Sequence, residues 1–366
     1  MPNITDAKTL KIIAKTLNRW FIENKENWFF RENRTPYKVW ISEVALQQTR
    51  IQAALSPLKR FFLNFPDINS LADASEDKVL NSFRGLGYYN RARNLRKGAI
   101  YIKEKLKGRF PETSKELKQV PSIGDYTAAA ISSICFNENI AVLDGNVKRI
   151  LSRLLFIEDF IETRIFLEKC AKFQAGLFYL AAVHPGDLNE AFMELGQKIC
   201  LPKNMKCEIC PLFSFCKAAQ KNKARELPLK GKKKNLKDVN WHIFIIVDKE
   251  NKVLLQKYES FYFLKNQWAF PSSLFFLPEQ NVLNSCRNIA CGVMQKNILI
   301  ENNIIKHSIT NHKIKIYPFV TKNETVLCHE NSMRVHSSEI ENYLASSAML
   351  KTWKIAQKHL TPSEKH

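Results

Sequence analysis

The chain has 366 residues, 45% of them hydrophobic, which is enough for two or three packed domains, and no apolar stretch approaches the length of a membrane span. Its 56 Lys and Arg against 35 Asp and Glu give a formal charge of +21. A surplus of that size concentrates polyanions near the surface, so nucleic acid is the expected partner and a generally basic enzyme the plainer alternative.

Residues 1–17 mix acidic and basic side chains without an apolar core, so neither export nor organelle import is expected, and the expected setting is the cytoplasm. From Thr5 to about Cys216 apolar residues recur at helical spacing, broken by turn signals such as Phe65-Pro66-Asp67 and Arg84-Gly85-Leu86-Gly87. This part reads as all-α. In Tyr37–Thr49 an acidic residue, Glu43, sits among Val39, Trp40, Val44 and Leu46. Desolvation there raises a carboxyl pKa and suits a general acid, although an exposed glutamate is the commoner outcome for such a segment taken alone.

Val120–Ala130 joins two helices through a tight turn around Gly124. Amides at such a turn and at the start of the second helix suit a phosphate, a contact that positions a protein on DNA without reading sequence. In Val142–Arg149, Asp144 is a natural helix N-cap, and helix-terminal amides are expected to depress its pKa. A purely structural cap is the commoner role. One carboxyl raised and one lowered would, however, suit glycosidic-bond cleavage through an oxocarbenium-like state.

Cys200, Cys207, Cys210 and Cys216 fall as Cys-x6-Cys-x2-Cys-x5-Cys. Thiolates select zinc or iron–sulfur, and a single loop giving all four, with Pro211 after Cys210, suits one [4Fe-4S] cluster. Tetrahedral zinc, which usually draws on two separated pairs, and chance spacing are the lesser alternatives. The other cysteines (Cys135, Cys170, Cys286, Cys291 and Cys328) are scattered as free thiols are, which implies a reducing compartment. Between Lys221 and Lys237 eight basic residues face only Glu226, which reads as a solvated tether. Strand-like runs follow at Trp241–Val247, Lys252–Gln256 and Lys313–Val320, giving a smaller α+β domain. The expected division is a helical domain over 1–219 (hairpin about 117–130, cysteine loop 200–216), a linker over 220–239 and a C-terminal domain over 240–366.

At Thr35–Thr49, Gly85–Tyr89, Leu143–Arg149, Asn189–Gly196 and the cysteine loop, the chain resembles the MutY family of adenine DNA glycosylases within the helix-hairpin-helix superfamily. The resemblance implies that adenine opposite 8-oxoguanine or guanine in double-stranded DNA is flipped into a pocket and hydrolysed off, leaving an abasic site. By it, Glu43 protonates the adenine, Asp144 stabilises the cationic sugar, Asn146 orients Asp144, and Tyr126 hydrogen-bonds in the same pocket. Arg31 and Glu190 contact the adenine edge and Leu46 its face, while Gln48 and Tyr88 fill the space at the extruded base. A monomer acting on nucleoid DNA is expected. An endonuclease III-like lyase shares the hairpin and cysteine loop, but Tyr126 stands where its amine nucleophile would be, and a phenol forms no imine. A lesion sensor without catalysis would not need Glu43, Asp144, Asn146 and Tyr126 together.

Three departures from the family pattern stand out. Phe30 in Trp28-Phe29-Phe30-Arg31 replaces an indole. In the hairpin, Ser122 replaces a glycine and Asp125 an arginine. The C-terminal domain resembles a MutT-like (Nudix) fold around Asn266–Pro271. Only Glu279 and Glu301 are acidic from Pro271 to Lys306, so a lesion-binding role is expected rather than magnesium-dependent hydrolysis. Thr310 and Asn311 occupy its lesion-reading loop, without the usual aromatic wedge at Ile309.

Overall fold

The computed structural model describes residues 4–87, 89–231, 236–259, 261–275, 298–299, 304–309, 311–323 and 330–360. Tyr88, Thr310, Glu279, Glu301, Cys286, Cys291 and Cys328 lie outside these. By packing the chain divides into two units, residues 1–74 with 90–233 and residues 75–89 with 234–366. The second unit thus takes in residues 75–89, which the sequence reading had placed with the helices.

In the first unit, α1 (Ala7–Asn24) starts where Asp6 accepts from the Thr9 N–H, and it buries Leu10, Ile13, Ala14, Leu17 and Phe21 along one stripe. Helix α2 (Pro36–Leu46) is capped by Thr35 with Pro36 in its first turn, and buries Val39, Trp40, Ile41, Val44 and Ala45. Then come α3 (Ile51–Asn64), α4 (Ile68–Asp73) and, in the second unit, α5 (Glu76–Ser82). The first unit resumes with α6 (Asn90–Lys105), α7 (Ser114–Leu117), α8 (Asp125–Phe136), α9 (Gly145–Leu155), α10 (Arg164–Ala181), α11 (Pro185–Lys198) and α12 (Lys217–Gln220). Helix α8 packs on α2 and on α11, and α11 packs on α1 and α9, so α2, α8, α9 and α11 frame one space.

The turn between α7 and α8 forms the expected hairpin. Ser122 stands there at φ +76°, a left-handed conformation that disfavours a side chain. Two glycines near this corner differ in what they answer to. A Cβ at Gly98 would come within 2.4 Å of the Pro121 carbonyl and 2.7 Å of the Trp40 ring, so close packing demands glycine. A Cβ at Gly124 would meet nothing, and its φ of −88° suits any residue.

The solvated-tether reading fails for the first half of the basic segment. Ala224 and Leu227 are buried beside Ala218, with Phe156, Met205 and Leu229 packed against them. The Ile161 N–H donates to the Leu229 carbonyl at 3.0 Å, and Arg153 Nε donates to that of Leu227 at 3.0 Å. Composition hid this because the apolar residues are few and stand between lysines; Lys221 lies over the Phe156 ring at 4.1 Å.

The second unit is built on a mixed sheet of β1 (Lys237–Asp248), β2 (Lys252–Tyr258), β3 (Gln267–Ala269), β4 (Ser272–Phe275), β5 (Ile298–Leu299), β6 (Ile305–Ile309), β7 (His312–Asn323) and β8 (Ser332–His336). The central order is β3-β2-β1-β7-β5, with β4 paired to β1, β6 to β7 and β8 to β2. Strands β1 and β7 run parallel with Trp241 opposite Ile316. Alternation along β1 sends Trp241, Ile243 and Ile245 into a core with Ile316, Met349 and Trp353, the last two from α14 (Ser347–Leu360), which follows the short α13 (Ile340–Tyr343). Phe244 and Ile246 pack separately with Leu254 and Phe319. The fold class is therefore a helical unit plus an α+β unit. No helix among the described residues is long and apolar enough to cross a membrane.

Candidate active site

A cavity of about 1070 Å³ opens between α2, α8, α9 and α11, and its lining brings together Arg31, Glu43, Leu46, Gln48, Tyr126, Asp144, Asn146 and Glu190. These come from sequence stretches up to 159 residues apart, counted from Arg31 to Glu190. Gly124 lies at the N-terminus of α8, outside the lining and exposed. Asn311 belongs to the turn between β6 and β7, where its carbonyl accepts from the Lys237 N–H at 2.9 Å. Tyr88 and Thr310 fall outside the described residues.

Glu43 retains some accessible surface because it faces the cavity, but protein encloses its carboxyl, and burial pushes it up to about 7. Its hydrogen-bond partner is neutral: the Tyr126 hydroxyl donates to Glu43 Oε2 at 2.5 Å. That bond favours the carboxylate, as does the nearby Arg31 charge, while Glu190 and Asp144 add repulsion, and desolvation outweighs the rest. Tyr126 is itself driven well above the usual phenol range by burial and the Glu43 charge. It stays a hydrogen-bond donor.

Asp144 caps α9 as its position foretold, accepting from the Val147 N–H at 2.6 Å and from Asn146 Nδ2 at 3.0 Å. The expected fall in its pKa does not follow. Burial raises it despite the amides of Val147 and Asn146 and the charge of Arg149, although less than it raises Glu43. The cap is visible in the sequence; the depth at which it sits is not. The two carboxyls still differ in kind, because Asp144 has several donors favouring its charged form and Glu43 has one phenol.

Asn146 is held in turn, its Oδ1 accepting from Arg149 Nη2 at 3.0 Å. Arg149 also donates to the Gly196 carbonyl at 2.8 Å and, through Nε, to the Cys200 carbonyl at 2.8 Å. One turn on, Arg153 donates to Cys200 Sγ at 3.3 Å and to the carbonyls of Leu201 and Pro202 at 2.8 and 3.0 Å. Helix α9 thus carries the cap of the cavity at one end and the anchors of the cysteine loop along its length. Sequence reasoning had given neither arginine a role.

The opposite wall is charged. Arg31 Nε lies 3.3 Å from Glu190 and Nη1 2.9 Å from Glu194; Arg34 pairs with Glu190 at 2.5 Å and with Asp187 at 2.6 Å. Burial raises Glu190 against the pull of both arginines. Phe30 is buried, and Trp28 stacks on it at 6.2 Å and 5°, so the aromatic wall survives the loss of the indole at position 30. Trp28, Arg34, Glu194 and Lys198 line the cavity without having been singled out from the sequence. The four-residue spacing of Glu190, Glu194 and Lys198 on one helix was the available signal.

Cys200, Cys207, Cys210 and Cys216 all line a second cavity of about 30 Å³, closed by Ile199, Met205, Phe213, Ala219 and Ala224. Burial pushes the Cys210 thiol up to about 12 and raises Cys207 and Cys216. A cationic centre would reverse that preference. Among the described residues no group of three or more His, Cys, Asp or Glu is gathered to hold a metal ion.

Comparison with known proteins defines the class. Residues 41–174 match the HhH-GPD superfamily of base excision DNA repair proteins. A solved thermostable thymine-DNA glycosylase shares the helical fold with a TM-score of 0.51 and 22% identity, over 59% of this chain and all of that one. Within the class, the adenine DNA glycosylase of Buchnera aphidicola subsp. Acyrthosiphon pisum (strain APS) is 38% identical over 291 residues, covering 77% of this chain and 82% of that protein. The adenine DNA glycosylase of Buchnera aphidicola subsp. Baizongia pistaciae (strain Bp) is 34% identical over 313 residues, 85% of this chain and 86% of the relative. The chain belongs to the adenine DNA glycosylase family.

Proposed function

We propose that this protein removes adenine mispaired with 8-oxoguanine or guanine in double-stranded DNA, acting as a monomeric, monofunctional hydrolase that leaves an abasic site. The carrying observation is the Tyr126–Glu43–Asp144 arrangement in a cavity that can hold a flipped base. A carboxyl with a pKa of about 7 keeps a proton to deliver at neutral pH. Glu43 protonates the adenine as it leaves, and Tyr126 steers the Glu43 carboxyl. Asp144, oriented by Asn146 and the α9 amides, stabilises the cationic sugar. Arg31 and Glu190 take the adenine edge and Leu46 its face. The open ground at Gly124, where glycine is not required by the protein's own packing, suits close approach of a phosphate backbone.

The relatives' alignments, spanning up to 85% of the chain, reach well into the second unit. We assign that unit, through Thr310 and Asn311, to reading the base opposite the adenine.

The four cysteines fit one [4Fe-4S] cluster. All four line one small cavity, and a single loop supplying four thiolates suits a cubane. Bound there, the group supplies structural cross-linking of the loop, which Arg149 and Arg153 tie to α9.

Single-turnover assay on a duplex with adenine opposite 8-oxoguanine tests the reading. Expected products are free adenine and an intact abasic strand that breaks only on heating in alkali. Strand cleavage at neutral pH with a borohydride-trapped, lysine-dependent adduct would overturn it, as would absence of adenine release.

A further inference from the structure

We infer that Glu194 is a positioning residue for adenine capture: it holds Arg31 in place and is itself held by Lys198. The inference rests on the pocket assigned above. It concerns a residue that the family resemblance gave no role.

Glu190, Glu194 and Lys198 follow one another at four-residue intervals along α11, so they form a ladder on one face. Arg31 lies across the first two rungs, with Nε at Glu190 and Nη1 at Glu194. The Glu194 side chain is 1% exposed. Its other oxygen, Oε1, lies 3.1 Å from Lys198 Nζ, and the same ammonium reaches Glu26 at 2.9 Å and the Asn24 carbonyl at 2.5 Å. Lys198 therefore connects the loop before Trp28 to the buried carboxylate, and that carboxylate connects to the arginine at the cavity wall.

The guanidinium is a rigid plane, and two carboxylates against different nitrogens, with the Glu26 carbonyl accepting from Nη1, restrict its orientation. Nε and Nη1 each lie against a carboxylate, Nη1 also donates to the Glu26 carbonyl at 3.4 Å, and no hydrogen bond to protein engages Nη2 among the described residues. The Nη2 donors remain for an acceptor nitrogen on the base edge. Glu190 alone cannot hold this geometry, because it is shared with Arg34. Without the charge of Glu194, Arg31 would swing toward the remaining carboxylate and the base would lose its fixed donor.

Equilibrium binding of the full protein to two duplexes, each with 8-oxoguanine opposite the test position, separates positioning from stability. One carries the non-hydrolysable 2′-fluoroadenosine, the other a tetrahydrofuran abasic analogue. Glu194→Gln keeps an acceptor for Arg31 but removes the charge. It is expected to weaken the fluoroadenosine complex about tenfold, the lower end of what a close charge pair couples, and to leave the tetrahydrofuran complex within about twofold of the parent. Lys198→Gln, which leaves Glu194 in place, is expected to act in the same direction by about threefold and serves as the test if Glu194→Gln does not fold. Equal weakening on both duplexes, or none on either, overturns the inference. Failure of the functional reading has its own signature: the parent would then bind the fluoroadenosine duplex no tighter than one with thymidine at that position.

Discussion

The cavity treats buried carboxyls in two ways on facing walls. On the α2 and α8 side, Glu43 meets one phenol and, among the described residues, no ion pair, and burial lifts it to about 7. On the α11 side, Glu190 and Glu194 are interleaved with Arg31, Arg34 and Lys198 at 2.5–3.3 Å. The first arrangement makes a proton donor and the second makes an anchor. Helix α9 handles its cations differently again: Arg149, at the cavity, and Arg153, at the cysteine pocket, are answered mostly by carbonyls of the cysteine loop and of Leu227 rather than by carboxylates. Charge on that helix is therefore bound to the chain's path, so it reports whether the loop is in place.

Breaking the unpaired wall should have the largest effect. Glu43→Gln retains shape and loses the proton, so single-turnover adenine release should fall at least about 10²-fold with DNA affinity nearly kept; Asp144→Asn should do likewise by removing charge opposite the sugar cation. Retention of more than about a tenth of the rate would contradict the assigned roles.

The pH dependence sharpens the same contrast. If Glu43 acts as an acid, the rate should be flat below about 7 and fall about tenfold per pH unit above it. The stability consequence has a definite sign. The folded pKa of about 7 lies above the ordinary glutamate value of 4.5, so the folded state binds more protons in that window. The contribution of Glu43 is fully present below 4.5 and is lost as pH rises through about 7. Glu43→Gln should therefore flatten the decline in denaturant-unfolding stability between those values. An unchanged slope would place the raised pKa elsewhere.

The carbonyl-answered arrangement can be broken by truncation. A fragment ending at Ala219 removes Leu227, leaving Arg153 Nε without its acceptor and uncovering the Ala218 pocket. It should be less stable than one ending at Gly231 by about 2–5 kcal/mol, from one unpaired buried donor and the lost burial of Leu227. The longer fragment should still release adenine while losing preference for 8-oxoguanine over guanine. Equal melting of the two fragments would mean that residues 220–231 do not support the helical unit.

Much of this was legible before the fold was known. The apolar periodicity gave the helices, the alternation from Trp241 to Val247 gave the central strand, and the clustering of apolar residues around Glu43 foretold a desolvated carboxyl. The sign at Asp144 was not legible, because an N-cap is a local pattern whereas depth depends on helices far away in sequence. Ala224 and Leu227 were masked by the lysines around them, since composition averages over a window and burial is decided residue by residue. Glu194 looked like any helical glutamate until Arg31, 163 residues earlier, came across it.

The smallest expected effect lies beside the α8 wall. Ser122 holds φ +76° shortly before the helix that carries Tyr126, and its Oγ is buried without a hydrogen-bond partner among the described residues. Both features act against serine: the left-handed conformation costs a residue with Cβ about 1 kcal/mol relative to glycine, and the hydroxyl is desolvated without return. Asp125, three residues on, is paired at the surface with Lys118 at 3.0 Å and offsets nothing at 122. Ser122→Gly should therefore stabilise the protein by about 1 kcal/mol in denaturant unfolding, less whatever extra freedom glycine adds to the unfolded chain. The rate of adenine release should not change, because no residue from 118 to 124 lines the cavity. Destabilisation by Ser122→Gly would show that the hydroxyl is engaged after all, and that this corner, like the α11 wall, is held by a partner rather than tolerated at a cost.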